Sequence, residues 1–286
     1  MMMHIAGTRV LRLSGRIAVV GLLAFAWAGF ARPALAQEKE GKKLPDAEKI
    51  LEKSIEALGG RAAFEKLHNR VAEGTVEIKP QGISGTIITY AAAPSKSYTQ
   101  FELAGIGKQE SGTDGNVHWQ IAVPMPPRIL DGPELARSKR DSRFNSLLYW
   151  KESFKKVECT GIEDVDGREC YKIAMTPQEG PVDTVYYDRN TYLPVKMAIR
   201  LQTVMGELPA EVLIDDYKKN GEVRVAHKMI LRAAGTERVI VFQRVRHNVD
   251  LPKDRFDLPK EIQELQKAVS ETKPAGGLKP AGADKK

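Results

Sequence analysis

The chain has 286 residues, two cysteines and a formal charge of +7, and these values limit its class before any motif is considered. Most of the positive charge lies at the ends, since residues 1–36 hold four arginines and no acid, and residues 260–286 hold six lysines and four acids. The body between them carries about +1 and lacks the basic face with aromatic platforms that nucleic-acid binding requires, which excludes that class.

The N-terminus has the parts of a secretory signal peptide. Three arginines precede an apolar run at 17–30, which is shorter than the roughly 20 residues of a membrane span. Small residues at positions 34 and 36 suit signal peptidase, so we predict cleavage after Ala36 and export to the periplasm. No later segment is apolar enough to cross a bilayer, so the mature form is predicted to have no membrane span.

No linker-like stretch interrupts residues 44–259, so we predict one domain there, after a disordered segment at 37–43. Apolar residues at helical spacing predict a first helix that begins at Asp46 and ends at Gly59-Gly60. A second short helix is predicted over 62–67, and we expect the pair to pack across a face or an end of a sheet.

Beyond the second helix the apolar period changes to two, which indicates strands. Four strands are predicted, at 71–79, 85–91, 97–103 and 117–123. In the fourth, Val117, Trp119 and Ile121 share one face, so we expect Trp119 to point inward. Prolines at 124–127 end this strand, and residues 133–150 are predicted to be one helix.

The stretch from 156 to 201 is predicted to be an antiparallel meander. Its strands are placed at 157–162, 170–175, 184–187 and 193–201. The Asp166-Gly167 pair between the first two is a strong hairpin signal, because both residue types tolerate positive φ. In the last strand, apolar residues alternate from Leu193 to Leu201 with Lys196 and Arg200 between them, so one face packs and the other meets solvent.

The register of this hairpin decides whether Cys159 and Cys170 form a disulfide. A two-residue turn at Asp166-Gly167 places Cys159 opposite Ala174, too far from Cys170 for a bond. A four-residue loop at 163–166 places the two cysteines opposite each other, and an exported protein could then keep the bond. Both alternatives remain open from the sequence.

Three further strands are predicted, at 210–217, 223–233 and 237–249. Residues 260–270 are predicted to form a short helix, and the repeated Lys-Pro-Ala-Gly beyond it indicates a disordered end. About ten strands against a few short helices predict a mainly antiparallel β fold, a half-open curved sheet with the helices packed on its concave face.

Motifs for catalysis are absent from the sequence, which has no H-E-x-x-H, no G-x-S-x-G and no P-loop. The histidines are scattered without metal-ligand spacing, and Asp215 and Asp216 are strand neighbours that point to opposite faces. We therefore predict neither an enzyme nor a bound metal or cofactor.

Large apolar side chains are plentiful on the predicted strand faces. Most are required for the core, but a curved sheet encloses more apolar surface than a few short helices can fill. Because burying one CH₂ stabilises by about 0.8 kcal/mol, the remaining surface could bind an acyl chain. The candidate cavity residues are Tyr90, Phe101, Trp119, Ile121, Leu147, Trp150, Tyr186, Val195, Met197, Ile199 and Phe242.

Several segments resemble the bacterial LolA/LolB-like superfamily, which sorts outer-membrane lipoproteins. They are ALGGRAAFEKL at 57–67, DGNVHWQ at 114–120, GIEDVDGRECYKI at 161–173, YYDRNTYLPVKM at 186–197 and HNVDLPKDRFDLP at 247–259. The resemblance implies a half-open antiparallel barrel, lidded by helices, whose apolar cavity receives acyl chains. It also implies an arginine on an early strand for lipoprotein release, but Arg70 precedes the predicted first strand.

We accordingly predict a monomeric, non-catalytic periplasmic protein that holds the acyl chains of a lipoprotein or of another lipid. The alternative is an envelope sensor or scaffold that engages a protein partner through a groove or a sheet edge.

Overall fold

A computed structural model describes residues 44–203 and 206–272. The predicted signal peptide and its cleavage site, the segment 37–43 and the tail beyond residue 272 lie outside the described residues. None of the described helices is long and apolar enough to cross a membrane.

Within these residues the chain forms 13 strands and five α-helices. The strands are β1 Asn69–Lys79, β2 Ile83–Ala92, β3 Lys96–Leu103, β4 Gly107–Thr113, β5 His118–Ala122, β6 Met125–Ile129, β7 Phe154–Val165, β8 Arg168–Pro177, β9 Asp183–Asp188, β10 Pro194–Thr203, β11 Gly206–Asn220, β12 Val223–Ala233 and β13 Thr236–His247. The helices are α1 Ala47–Ala57, α2 Arg61–Glu65, α3 Gly132–Ser142, α4 Trp150–Ser153 and α5 Lys260–Thr272, with a 3-10 turn at Ser146–Tyr149.

The strands form one antiparallel sheet made of two meanders. β1 lies beside β13 at the centre, and from this pair β2 to β6 follow in order toward one edge and β12 to β7 toward the other. The connection from β6 to β7 crosses from edge to edge and carries α3 and α4. The sheet is not closed, because β6 and β7 each have a neighbour on one side only. The predicted half-open antiparallel architecture is confirmed.

Helix α3 reveals how strongly the sheet curves. It contacts both β5 and β10, which lie eight positions apart in the strand order, or about 38 Å along a flat sheet. The 11 residues of α3 span only about 16 Å. The sheet must therefore curl around α3, so the face that carries α3 is the concave one.

The Asp166-Gly167 turn forms as a two-residue hairpin, with φ of 51° and 79° at its two residues. Cys170 pairs with Glu163, and a register shift between Cys159 and Gly161 then places Cys159 opposite Ile173. Both cysteines are free. The structure therefore has the first of the two registers considered above, without a disulfide.

Two strands and one helix differ from the prediction. β4 has the sequence GKQESGT, which has no apolar alternation, and β6 contains Pro126 and Pro127, which are tolerated because β6 is an edge strand. The helix predicted over 133–150 breaks after Ser142, since Arg143 is extended and Asn145 is left-handed. The chain thus divides into α3, the 3-10 turn and α4.

Apolar clusters lie on both faces of the sheet. On the concave face, Ile50 and Ile55 of α1 pack in one cluster with Ile173 and Val185 of the second meander. On the convex face, Ile262 of α5 packs with Tyr98 and Trp119 of the first meander. The expectation that all helices pack on the concave face is therefore wrong for α5, which covers the aromatic outer face of the first meander.

Candidate functional site

Two adjoining cavities lie between the concave face and the helices. The larger, of about 530 Å³, extends from β12 and β13 across β1 to β3. The smaller, of about 230 Å³, lies between α1, α4 and strands β8 to β10. Leu58, Asp141, Ser146, Leu147 and Ile214 line both cavities, so the cavities adjoin at these residues. The larger volume falls in the range of small-molecule sites.

The two cavities differ in chemistry. The wall of the smaller one is mostly apolar and includes Leu51, Ile55, Trp150, Met175, Val185 and Met197. The larger one combines apolar residues such as Phe144, Met229 and Phe242 with polar groups on β1 to β3. An apolar end and a polar end therefore face each other across the junction at Leu147.

Arg70 is the second residue of β1 and lines the larger cavity, so the expectation that it precedes the first strand is wrong. The strand begins earlier because Asn69 fixes its first residue by hydrogen bonds in both directions with the backbone of Val249, at 2.9 and 3.0 Å. Because polar side chains fix the start of β1, the spacing of apolar residues in the sequence could not predict it.

The Arg70 guanidinium is mostly buried, and burial lowers its pKa. In the part of the chain that the structure describes, it forms no ion pair and no side-chain hydrogen bond. Its neighbour on β13, His247, lines the same cavity, and its Nδ1 lies 3.0 Å from Asn220 Oδ1. Burial, and then the charge of Arg70, lower the pKa of His247 to about 4.

This depressed pKa predicts an acid-dependent loss of stability. Above about pH 6.5 the imidazole is neutral in both the folded and unfolded chains. As the pH falls toward 4, the unfolded chain binds a proton that the folded chain does not, so the free energy of unfolding decreases. We expect His247→Gln to reduce this decrease by about 1 to 3 kcal/mol, measured by urea denaturation from pH 7 to pH 4. An unchanged pH dependence would contradict the assignment, and the exposed His68→Gln serves as the control.

Helix α3, which we call the lid, covers the cavities, and none of its residues is fully buried. On the β9 side, Arg137 Nη1 and Arg140 Nη2 donate to Asp183 at 2.9 and 2.8 Å. The Asp183 side chain is only 4% exposed. Asp141, whose side chain is exposed, also pairs with both arginines. A buried carboxylate therefore fixes this side of the lid.

The opposite side of the lid is also held by polar contacts. His118 Nδ1 of β5 lies 2.8 Å from Ser138 Oγ, and Arg128 Nη2 of β6 donates to Glu134 Oε1 at 2.8 Å. Because none of the residues of α3 is fully buried, lifting the lid exposes little apolar surface of its own.

Five of the predicted cavity residues belong to the two walls, namely Tyr90, Leu147, Trp150, Met197 and Phe242. The ring of Tyr90, however, packs with Tyr98 in the cluster on the convex face. Phe101 and Ile199 lie outside the two walls: Arg238 stacks over the Phe101 ring at 5.1 Å, and Ile199 pairs with Ala210. The structure thus brings together four of the eleven predicted side chains, Leu147, Trp150, Met197 and Phe242.

The other four predicted residues face away from the cavities. Trp119 and Ile121 alternate with His118, which contacts the lid, so they point outward and pack under α5. Tyr186 and Val195 form a separate cluster with Cys170 and Val165, because a register shift between Pro194 and Lys196 turns Val195 outward. Alternation separates the two faces of a strand but does not reveal which face a helix will cover.

The residues that sequence reasoning missed include apolar wall residues such as Ile55 and Phe144, and all of the polar ones. No two-residue or helical spacing connects Asp183 with the lid arginines, because they are more than 40 positions apart. Arg70 was noticed but placed before its strand. Among the described residues no group of three His, Cys, Asp or Glu side chains is arranged to hold a metal ion.

A curved, unclosed antiparallel sheet with a helical lid over an apolar cavity defines a LolA-like fold. The structure is similar to a DUF1329 family protein from Desulfovibrio piger, with 14% identity and a TM-score of 0.53 over 75% of this chain and 98% of that one. It is also similar to a LolA superfamily protein from Nitrosomonas europaea, with 15% identity and a TM-score of 0.51 over 75% and 99% of the two chains.

A third similar structure is a putative outer membrane lipoprotein-sorting protein domain from Vibrio parahaemolyticus, with 15% identity, a TM-score of 0.51 and coverage of 74% and 97%. At these identities the shared property is the fold, which confirms the predicted resemblance at that level. No protein-family model and no curated protein matches the sequence.

Proposed function

We propose that the mature protein is a non-catalytic periplasmic carrier that holds the acyl chains of a lipoprotein or of another lipid between its sheet and its helices. The observation that carries this proposal is the pair of adjoining cavities beneath a lid in which no residue is fully buried. An acyl chain gains about 0.8 kcal/mol for each CH₂ that it buries there. The fold shared with a lipoprotein-sorting domain supports the same class.

Native mass spectrometry tests this function. The full chain is expressed in a bacterial host, released from the periplasm by osmotic shock and purified without detergent. We expect adducts that lipid extraction identifies as acyl-containing molecules, and a mature N-terminus at Gln37. A bare protein mass, together with no binding of an added fluorescent fatty acid, would refute the proposal.

The scaffold alternative depends on a partner at a groove or a sheet edge. β7 is an edge strand, but it carries Lys155, Lys156 and Glu158, and charges on an edge strand oppose pairing with another chain. The charges on β7 therefore favour the carrier function over a scaffold that binds its partner at this edge. Met197→Glu separates the two functions, because it closes the smaller cavity without changing the surface. A scaffold would still retain its partner in a pull-down, whereas a carrier would lose its lipid.

A further inference from the structure

The concave face of the first meander carries a row of hydroxyl groups. Thr89, Thr99 and Ser111 are directly opposite one another across β2, β3 and β4, and Gln120 continues the row on β5. Residues directly opposite in neighbouring strands point to the same face. Thr89 and Thr99 line the larger cavity, and Thr99, Ser111 and Gln120 line a third, polar cavity of about 230 Å³ beneath the lid.

The three hydroxyl groups of this row are unpaired in the part of the chain that the structure describes. Over residues 44–203 and 206–272, the side chains of Thr89, Thr99 and Ser111 make no hydrogen bond to another residue. Each of the three residues is only partly buried. These groups are therefore available to the contents of the cavity, whether water or the polar part of a ligand.

Arg70 adds a positive charge beside this row. Its partner on β2 is Ala91, so Thr89 lies diagonal to it, a separation that a long side chain can bridge. The other charges of the same wall are either compensated or exposed to solvent. Asp141 and Arg143 have ion-pair partners, and the side chain of Arg224 is exposed. Arg70 is thus an uncompensated and mostly buried cation that faces the cavity.

We propose that Arg70 and the hydroxyl row form a head-group site that selects amphiphiles with an oxyanion, a carboxylate or a phosphate. The inference rests on the proposed carrier function and names its ligand class. A guanidinium binds such oxyanions through charge-assisted hydrogen bonds, and hydroxyl groups donate to the remaining oxygens. The acyl chain then extends past Leu147 into the apolar cavity at α1, which fixes its direction.

The test compares anionic and neutral amphiphiles that carry the same chain. The full chain, freed of bound lipid, is titrated with palmitate, hexadecanol, 16:0 lysophosphatidylglycerol and monopalmitoylglycerol, each below the concentration at which it aggregates or precipitates. We expect each anion to bind about tenfold or more tightly than its neutral counterpart. Tight binding of palmitate alone assigns a free fatty acid, and tight binding of the lysophospholipid assigns a phosphate head group.

Single substitutions then test which residues cause the preference for anionic probes. Arg70→Gln is expected to reduce the preference for anions to about threefold or less, with the affinity for hexadecanol unchanged. Thr99→Val, a near-isosteric loss of one hydroxyl, should weaken anion binding about fivefold. Arg246→Gln is the matched control, because Arg246 lies next to His247 on β13, is exposed and pairs with Glu73. It should retain the full preference.

Failure of the head-group site can be distinguished from failure of the carrier function. Equal binding of anions and neutral molecules, or an undiminished preference in Arg70→Gln, overturns the head-group site but leaves the carrier function standing. No binding of any of the four probes overturns both.

Discussion

Asp183→Asn is expected to destabilise the protein by about 3 kcal/mol and to release the lid from the sheet. Asp183 forms ion pairs with Arg137 and Arg140, whose side chains are 19% and 11% exposed. Removing one partner of a buried ion pair costs about 3 to 5 kcal/mol, because the remaining charges stay desolvated. We expect the lower end of this range, since no residue of the lid is fully buried and its arginines can move into solvent as it lifts.

The loss of stability and the release of the lid in Asp183→Asn are measured separately. Urea denaturation at neutral pH reports the free energy of unfolding, and amide hydrogen exchange reports the opening of residues 132–142. Glu163→Gln is the matched control, because it removes an exposed ion pair with Lys172, and exposed pairs contribute about 1 kcal/mol or less. Exchange in the lid that stays as slow in Asp183→Asn as in the native protein would show that the ion pairs do not hold it.

Leu147→Trp is expected to weaken the binding of long acyl chains about 100-fold. Leu147 lies where the two cavities meet, and an indole there blocks the passage between them. A chain confined to the larger cavity leaves about four methylene groups unburied, a loss of about 3 kcal/mol. Octanoate, which needs only one cavity, should lose less than about threefold.

Displacement of a fluorescent fatty acid by a series of chain lengths measures this effect. In the native protein the affinity should increase with each added methylene up to the length that fills both cavities, and in the variant it should stop increasing earlier. Ile162→Trp, at an exposed position on β7, adds the same ring without approaching the cavities. A parallel loss at every chain length would argue that Leu147 acts on the fold and not on the passage.

The elements that local chemistry specifies were predictable from the sequence. The Asp166-Gly167 turn fixed the register of β7 and β8 because positive φ favours these residue types, and the alternation in the central meander located its strands. β4 was missed because its ladder partners on β3 and β5 hold it in the sheet, and no apolar face of its own does. Tertiary context outweighed propensity there.

Only part of the apolar wall of the candidate site was predictable from the sequence. Leu147, Trp150 and Met197 were found because burial favours large apolar residues on strand faces and helices. Trp119 satisfied the same criterion but packs under α5 on the other face. Asp183 and the hydroxyl row depend on pairings between distant strands and helices, and no local pattern contains that information.

The position of β13 beside β1 has a consequence for how the sheet assembles. Each meander is built from hairpins of neighbouring segments, which close at little entropic cost, whereas the central pair joins residue 70 to residue 247. Nearly the whole domain must therefore be present before β1 gains its second neighbour, and pairings this distant slow folding. Until then β1 is an unprotected edge, so the centre of the finished sheet is the region most open to wrong partners during folding.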